Sequence, residues 1–88
     1  MAQPTITVFS KNPCGQCDMT KSVLNKAEVP YQTHDVQKDA EAYEKVKKLG
    51  YLSAPVVIHT DQNGNIDHWY GFNPDKLKSA IANLKHNL

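Results

Sequence analysis

The opening of the chain leaves few folds available. Thr5-Ile6-Thr7-Val8-Phe9 alternates polar and apolar side chains and is rich in β-branched residues, which is the pattern of a strand. Ser10-Lys11-Asn12-Pro13 breaks it. From Cys14 to about Ala27 the chain carries Val23, Leu24 and Ala27 at helical spacing, and Glu28-Val29-Pro30 ends that helix. Tyr31 to Val36 reads as a second strand. Strand, helix and strand in close succession make a βαβ unit, which requires two parallel strands joined by a right-handed crossover.

The remainder adds a second helix, a hairpin and a third helix. Asp39 and Glu41 suit the first turn of a helix running to Leu49, with Ala40, Tyr43, Val46 and Leu49 recurring along it and Gly50 as its stop. Pro55-Val56-Val57-Ile58 reads as a third strand and Ile66 to Tyr70 as a fourth, with Asn63-Gly64 signalling the hairpin between them. A two-residue loop at Asn63-Gly64 sets Gln62 opposite Asn65, His59 opposite His68 and Ile58 opposite Trp69. Asn73-Pro74 is a helix cap followed by the proline favoured at the first helical position, and Leu77, Ala80, Ile81 and Leu84 form an apolar stripe behind it. The expected order is βαβαββα, an α/β fold.

An 88-residue chain is read as one domain spanning residues 1–88, with no repeats or linkers. Its 40% hydrophobic and 22% charged content argues against disorder, and a net charge of +1 without basic runs argues against nucleic acid or an anionic membrane as partner. Met1-Ala2-Gln3-Pro4 lacks a basic n-region, and nothing near eighteen apolar residues follows, so neither a signal peptide nor a membrane span is expected. A cytoplasmic protein is the expectation, and there thiols are kept reduced.

Both cysteines of the chain, Cys14 and Cys17, fall in Asn12-Pro13-Cys14-Gly15-Gln16-Cys17. As a staple they are badly placed, because closing a four-residue loop stabilises by only about 2 kcal/mol, against about 3 for fifteen residues. As zinc ligands they lack company. There is no second cysteine pair and no closely spaced histidine pair, only His34, His59, His68 and His86. No metal is expected. One turn apart at a helix start, the two sulfurs lie within disulfide reach, and Cys14 meets the unpaired N–H groups and positive dipole that favour a thiolate. The roles that follow are Cys14 as nucleophile and Cys17, better shielded, as the resolving thiol.

Other residues carry two readings each. Lys11 is either a solvated loop charge or a support for the thiolate. Trp69-Tyr70-Gly71-Phe72 is either core packing with a turn or an exposed aromatic edge that binds partners. Pro55 opens a strand, where the ordinary reading is a trans entry proline.

Phe9-Ser10-Lys11 with Cys14-Gly15-Gln16-Cys17, the Gly50 to Val57 stretch, and Asp67 to Asp75 together resemble the NrdH-type redoxins over nearly the whole chain. The resemblance implies a thioredoxin-like, glutaredoxin-type fold, a four-stranded mixed sheet flanked by three helices. Lys11, Gly15, Gln16, Ala54 and a cis Pro55 would then support the cysteine pair, and Trp69, Tyr70, Gly71 and Phe72 would face partners. It implies a monomeric dithiol carrier with no bound cofactor beyond its redox-active disulfide. Thioredoxin reductase would reduce it at the expense of NADPH, and the large subunit of class Ib ribonucleotide reductase would receive the electrons.

A glutathione-dependent glutaredoxin is the rival within enzymes. Against it, Gly71 between bulky Tyr70 and Phe72 gives a tripeptide little room, so poor glutathione binding is expected. A metal or iron–sulfur binding module, with the cysteines as ligands, is the rival from another class, and an inert adaptor is a third. The chain departs from the usual family form at Gly15, Tyr70 and Asn73, where valine, a small polar residue and arginine are common, and its hairpin over 60–65 is longer.

Overall fold

In the computed structural model, residues 3–87 are described; Met1 and Ala2 of the N-terminal segment considered above, and Leu88, lie outside the described residues. The elements run β1 (Thr5–Ser10), α1 (Gly15–Ala27), β2 (Gln32–Asp35), α2 (Ala40–Lys48), β3 (Val56–Thr60), β4 (Ile66–Tyr70) and α3 (Pro74–His86). One sheet takes the order β2-β1-β3-β4. β1 pairs parallel with β2 and antiparallel with β3, and β4 pairs antiparallel with β3. The βαβαββα order and mixed sheet match the expectation.

Strand alternation divides the core between the two faces of the sheet. Ile6, Val8 and Val57 point to one side, where Leu24 of α1 and Leu77, Ala80 and Leu84 of α3 bury against them with Trp69. Phe9, Val56 and Ile58 point to the other, covered by Ala42 and Val46 of α2. No helix among the described residues is long and apolar enough to cross a membrane.

Each helix end is fixed by local chemistry. Asp39 is the cap of α2 rather than part of its first turn, and its carboxylate accepts from the N–H groups of Glu41 and Ala42, both at 3.1 Å. After α2, Gly50 adopts φ 93°, and the N–H groups of Gly50 and Tyr51 donate to Lys47 and Val46, which closes the helix in a Schellman motif. Asn73 caps α3 by accepting from Lys76 N–H at 3.1 Å. The end of α1 differs, because there Glu28, not a glycine, takes the left-handed conformation with φ 58°.

The hairpin corrects the expected register. Val57 stands opposite Trp69, Ile58 opposite His68 and His59 opposite Asp67, one residue away from the pairing inferred from Asn63-Gly64. The loop is three residues long, not two. Gly64 N–H donates to the Asp61 carbonyl at 3.1 Å and Gly64 takes φ 85°, so a tight turn is followed by a left-handed glycine. The Asp61 carboxylate organises it, accepting from the N–H groups of Asn63 and Asn65, both at 2.9 Å, and from the Asn65 amide at 3.2 Å. The observed register also puts Trp69 beside Val57 on the α1–α3 face, whereas the expected one would pair it with Ile58, which faces α2.

These bonds hold the Asp61 carboxyl below the usual carboxylate range, the Asn65 N–H being the largest cause; the Asn63 N–H, the Asn65 amide and nearby His59 add to it, and partial desolvation opposes it. A depressed folded-state value means a stabilising contribution that is present above the ordinary carboxylate range and is lost as pH falls through the folded value. Asp61→Ala should therefore melt below the wild type at neutral pH, with the gap narrowing as pH falls below the ordinary carboxylate range and the wild-type carboxylate is protonated too. A melting-temperature gap that stays constant across that pH range would show that the charge does not order the turn.

Candidate active site

The site is assembled from three segments that converge at one end of the sheet. The first leaves β1 through Lys11, Asn12 and Pro13 and reaches Cys14, whose extended backbone, φ −160° and ψ 103°, makes it the cap of α1. Two features steer this segment. The Asn12–Pro13 peptide is cis, which no feature of the sequence announced, and Asn12 N–H donates to the Gln37 side chain at 3.2 Å. As a cap, Cys14 Sγ does what a serine oxygen would do, accepting from Cys17 N–H at 3.1 Å. Cys14 and Cys17 are joined in a disulfide with their Cα atoms 5.2 Å apart.

The second segment is the entry to β3. The Ala54–Pro55 peptide is cis, Pro55 is fully buried, and the Ala54 carbonyl oxygen lies 3.8 Å from Cys14 Sγ. Once the disulfide is reduced, a Cys14 thiol has that carbonyl as an acceptor. The third segment is the turn after β4, where Gly71 N–H donates to the Pro55 carbonyl at 2.9 Å and Phe72 N–H donates to Gln16 Oε1 at 2.9 Å. Gln16, which had no physical account in the sequence, is thus the side chain that ties the helix start to this turn. Its partner stands 56 residues away, beyond the reach of any local pattern.

The residues proposed to support the pair fall into two groups. Ala54, Pro55 and Gln16 stand at the site as described. Lys11 lines a cleft of about 380 Å³ with Val36, Tyr43, Tyr51, Leu52 and Ala54, so it borders the site without an ion-pair partner among the described residues. A Cβ on Gly15 would meet nothing within 4 Å, so neither packing nor backbone conformation demands glycine there.

Of the aromatic segment, Trp69 is only 5% exposed and belongs to the core, while Tyr70 is 49% exposed. Phe72 packs partly against the α1–α3 core. Of the aromatic side chains expected to face partners over 69–72, Trp69 is therefore turned inward, Phe72 is half-buried and Tyr70 is exposed. Two of the histidines are engaged elsewhere: His59 Nε2 pairs with the Asn83 amide oxygen at 2.8 Å, and His68 Nδ1 with the Tyr51 hydroxyl at 2.7 Å. Among the described residues no three His, Cys, Asp or Glu side chains converge as a metal site would require.

The burial of the two sulfurs is unequal, with Cys14 half-buried at the surface and Cys17 1% exposed. A reversible dithiol so divided, on a mixed four-stranded sheet, belongs to the thiol–disulfide oxidoreductases of thioredoxin-like fold. The family model for glutaredoxin matches residues 6–62. The chain is 35% identical over 72 residues to the glutaredoxin-like protein NrdH of Lactococcus lactis subsp. cremoris, covering 82% of this chain and 93% of that one. It is 32% identical to NrdH of Escherichia coli K12, covering 82% and 83%. The solved structure of the E. coli NrdH-redoxin superposes with a TM-score of 0.75 at 31% identity, over 85% of this chain and 92% of that one. The chain belongs to the glutaredoxin family, in its NrdH-type, glutaredoxin-like branch.

Proposed function

We propose that this protein is a two-electron carrier that takes electrons from thioredoxin reductase and delivers them to the large subunit of class Ib ribonucleotide reductase. The observation that carries the chemistry is the Cys14 sulfur at a helix cap, accepting the Cys17 N–H at 3.1 Å while Cys17 itself is buried. A thiolate at Cys14 attacks a substrate disulfide sulfur; that S–S bond breaks, one substrate thiolate leaves and takes a proton, and a mixed disulfide remains. Cys17, deprotonated in turn, attacks Cys14 Sγ and releases the second substrate thiol. Two electrons and two protons have then passed to the substrate, and the Cys14–Cys17 disulfide awaits its reductase.

The choice of donor and acceptor is supported by the NrdH relatives and by the thioredoxin-like activity profile described for the E. coli NrdH-redoxin. Glutathione is a poorer fit. The turn where a tripeptide would need close backbone approach holds Gly71 between Tyr70 and Phe72, and the Phe72 N–H is already engaged by Gln16. The test is NADPH oxidation in a mixture of this protein, thioredoxin reductase and oxidised class Ib ribonucleotide reductase. Rapid oxidation is the expected result; turnover supported only by glutathione and glutathione reductase would reject this reading in favour of a glutaredoxin.

A further inference from the structure

Gln16 is exposed, in the first turn of α1, yet its carboxamide oxygen is not left to water. Its backbone is anchored from below, where the buried Thr20 hydroxyl donates to the Gln16 carbonyl at 2.9 Å. From that fixed point the side chain crosses to the turn after β4 and accepts from Phe72 N–H at 2.9 Å. Its Oε1 comes close to Gly71, where an added Cβ would stand 3.0 Å from it and where φ is 85°. Three links thus close a ring around the Cys14 sulfur. Ala54 O stands 3.8 Å from Sγ, Pro55 O accepts from Gly71 N–H at 2.9 Å, and Phe72 N–H donates to Gln16.

In the last two links, which tie the turn down, every group but one belongs to the backbone. The Gln16 carboxamide is the one that substitution can remove without touching a cysteine or the core. It fills no cavity and pairs with no charge. What it does is set where Tyr70, Gly71 and Phe72 stand relative to the attacking sulfur. A small disulfide needs only that sulfur, whereas a polypeptide carrying a disulfide must also lie along the surface beside it, where Tyr70 is 49% exposed.

We infer that Gln16 is a positioning residue that holds the Tyr70-Gly71-Phe72 turn against the active-site helix and so sets the affinity for protein disulfides without setting the reactivity of the Cys14 thiol. The inference rests on the family's thiol–disulfide chemistry and not on the identity of the reductase or the final acceptor.

The test compares Gln16→Met, similar in length but without the acceptor oxygen, with Gln16→Glu, which retains an acceptor. Insulin, with dithiothreitol as electron donor, serves as the protein disulfide; a single turnover of the pre-reduced protein with 5,5′-dithiobis(2-nitrobenzoate) serves as the small one. Gln16→Met should raise the KM for insulin about fivefold, the equivalent of about 1 kcal/mol and of one neutral hydrogen bond. Its rate with the small disulfide should fall by a smaller factor than the insulin KM rises, and its melting temperature by no more than the few degrees that one hydrogen bond costs a domain of this size. Gln16→Glu should restore the insulin KM, whatever its charge does to both rates. An unchanged insulin KM in Gln16→Met would overturn the inference, as would equal slowing with insulin and with the small disulfide, or failure of Gln16→Glu to restore the KM.

Discussion

Replacing Cys14 by serine should abolish disulfide reduction, a fall of roughly a thousandfold or more, while leaving the protein folded. Removal of a nucleophile ordinarily has that size, because a serine hydroxyl at the same cap is no leaving group for a second thiol and hardly ionises at neutral pH. The fold should survive for a separate reason. The Cys14–Cys17 crosslink closes a four-residue loop with its Cα atoms 5.2 Å apart, and such a loop contributes only about 2 kcal/mol. A domain of this length holds about 4–13 kcal/mol. Serine is moreover a good helix cap, so the Cys17 N–H keeps an acceptor.

Cys17→Ser should behave differently, since the first attack remains available and only its resolution is lost. Incubated with an excess of a disulfide substrate, it should accumulate a covalent adduct through Cys14, detected by mass spectrometry of the intact protein and its peptides. The asymmetry is written in the burial, because Cys17 at 1% exposure meets no incoming substrate whereas Cys14 does. Adduct formation on Cys17 in the Cys14→Ser protein, at a rate comparable to that of Cys17→Ser, would reverse the assignment of roles.

The parts of this fold that were legible in the sequence are those governed by local rules. Alternation gave β1, apolar spacing gave α1 and α3, and the Asn73-Pro74 pair marked the start of α3 where the structure has it. The dithiol was legible for the same reason, since two cysteines one turn apart at a strand-to-helix junction need no long-range information. What was not legible depends on partners remote in the chain or on competition between two local signals. Asn63-Gly64 is a strong hairpin signal, but Asp61, with its carboxylate bonded to both Asn63 and Asn65, closes a longer loop and shifts the register by one residue. The cis bond at Asn12–Pro13 has no local signature. Gln16 could be recognised as part of a family pattern, yet its physical task appears only when α1 and the turn after β4 are brought together. For Trp69 the ambiguity was real: an aromatic next to a glycine turn reads as either core or surface, and only the β3–β4 register decides that Trp69 turns inward and Tyr70 outward.

Truncating Leu77 to alanine should be the most destabilising of the changes considered. Leu77 has 0% exposure and belongs to the same buried cluster as Leu24 of α1 and Val57 and Trp69 of the sheet. Deleting its three terminal carbons removes buried apolar contact and leaves a cavity that a close-packed interior fills only partly, a loss of about 2–5 kcal/mol. Against a total of about 4–13 kcal/mol that is a large fraction, and it should lower the melting temperature by roughly 10–25 °C. Leu52→Ala is the matched control, since Leu52 is 85% exposed and should shift stability by less than about 0.5 kcal/mol. The same substitution also bears on the site. Leu77 lies in the first turn of α3, and its buried side chain seats against the core the helix start that follows the Gly71-Phe72 turn held by Gln16 and Pro55. Below its melting temperature, Leu77→Ala should therefore bind a protein disulfide less tightly while its Cys14 still reacts with a small disulfide at the wild-type rate. Equal melting temperatures for Leu77→Ala and the wild type, by calorimetry or circular dichroism, would mean that the α1–α3 face is not where this small domain draws its stability.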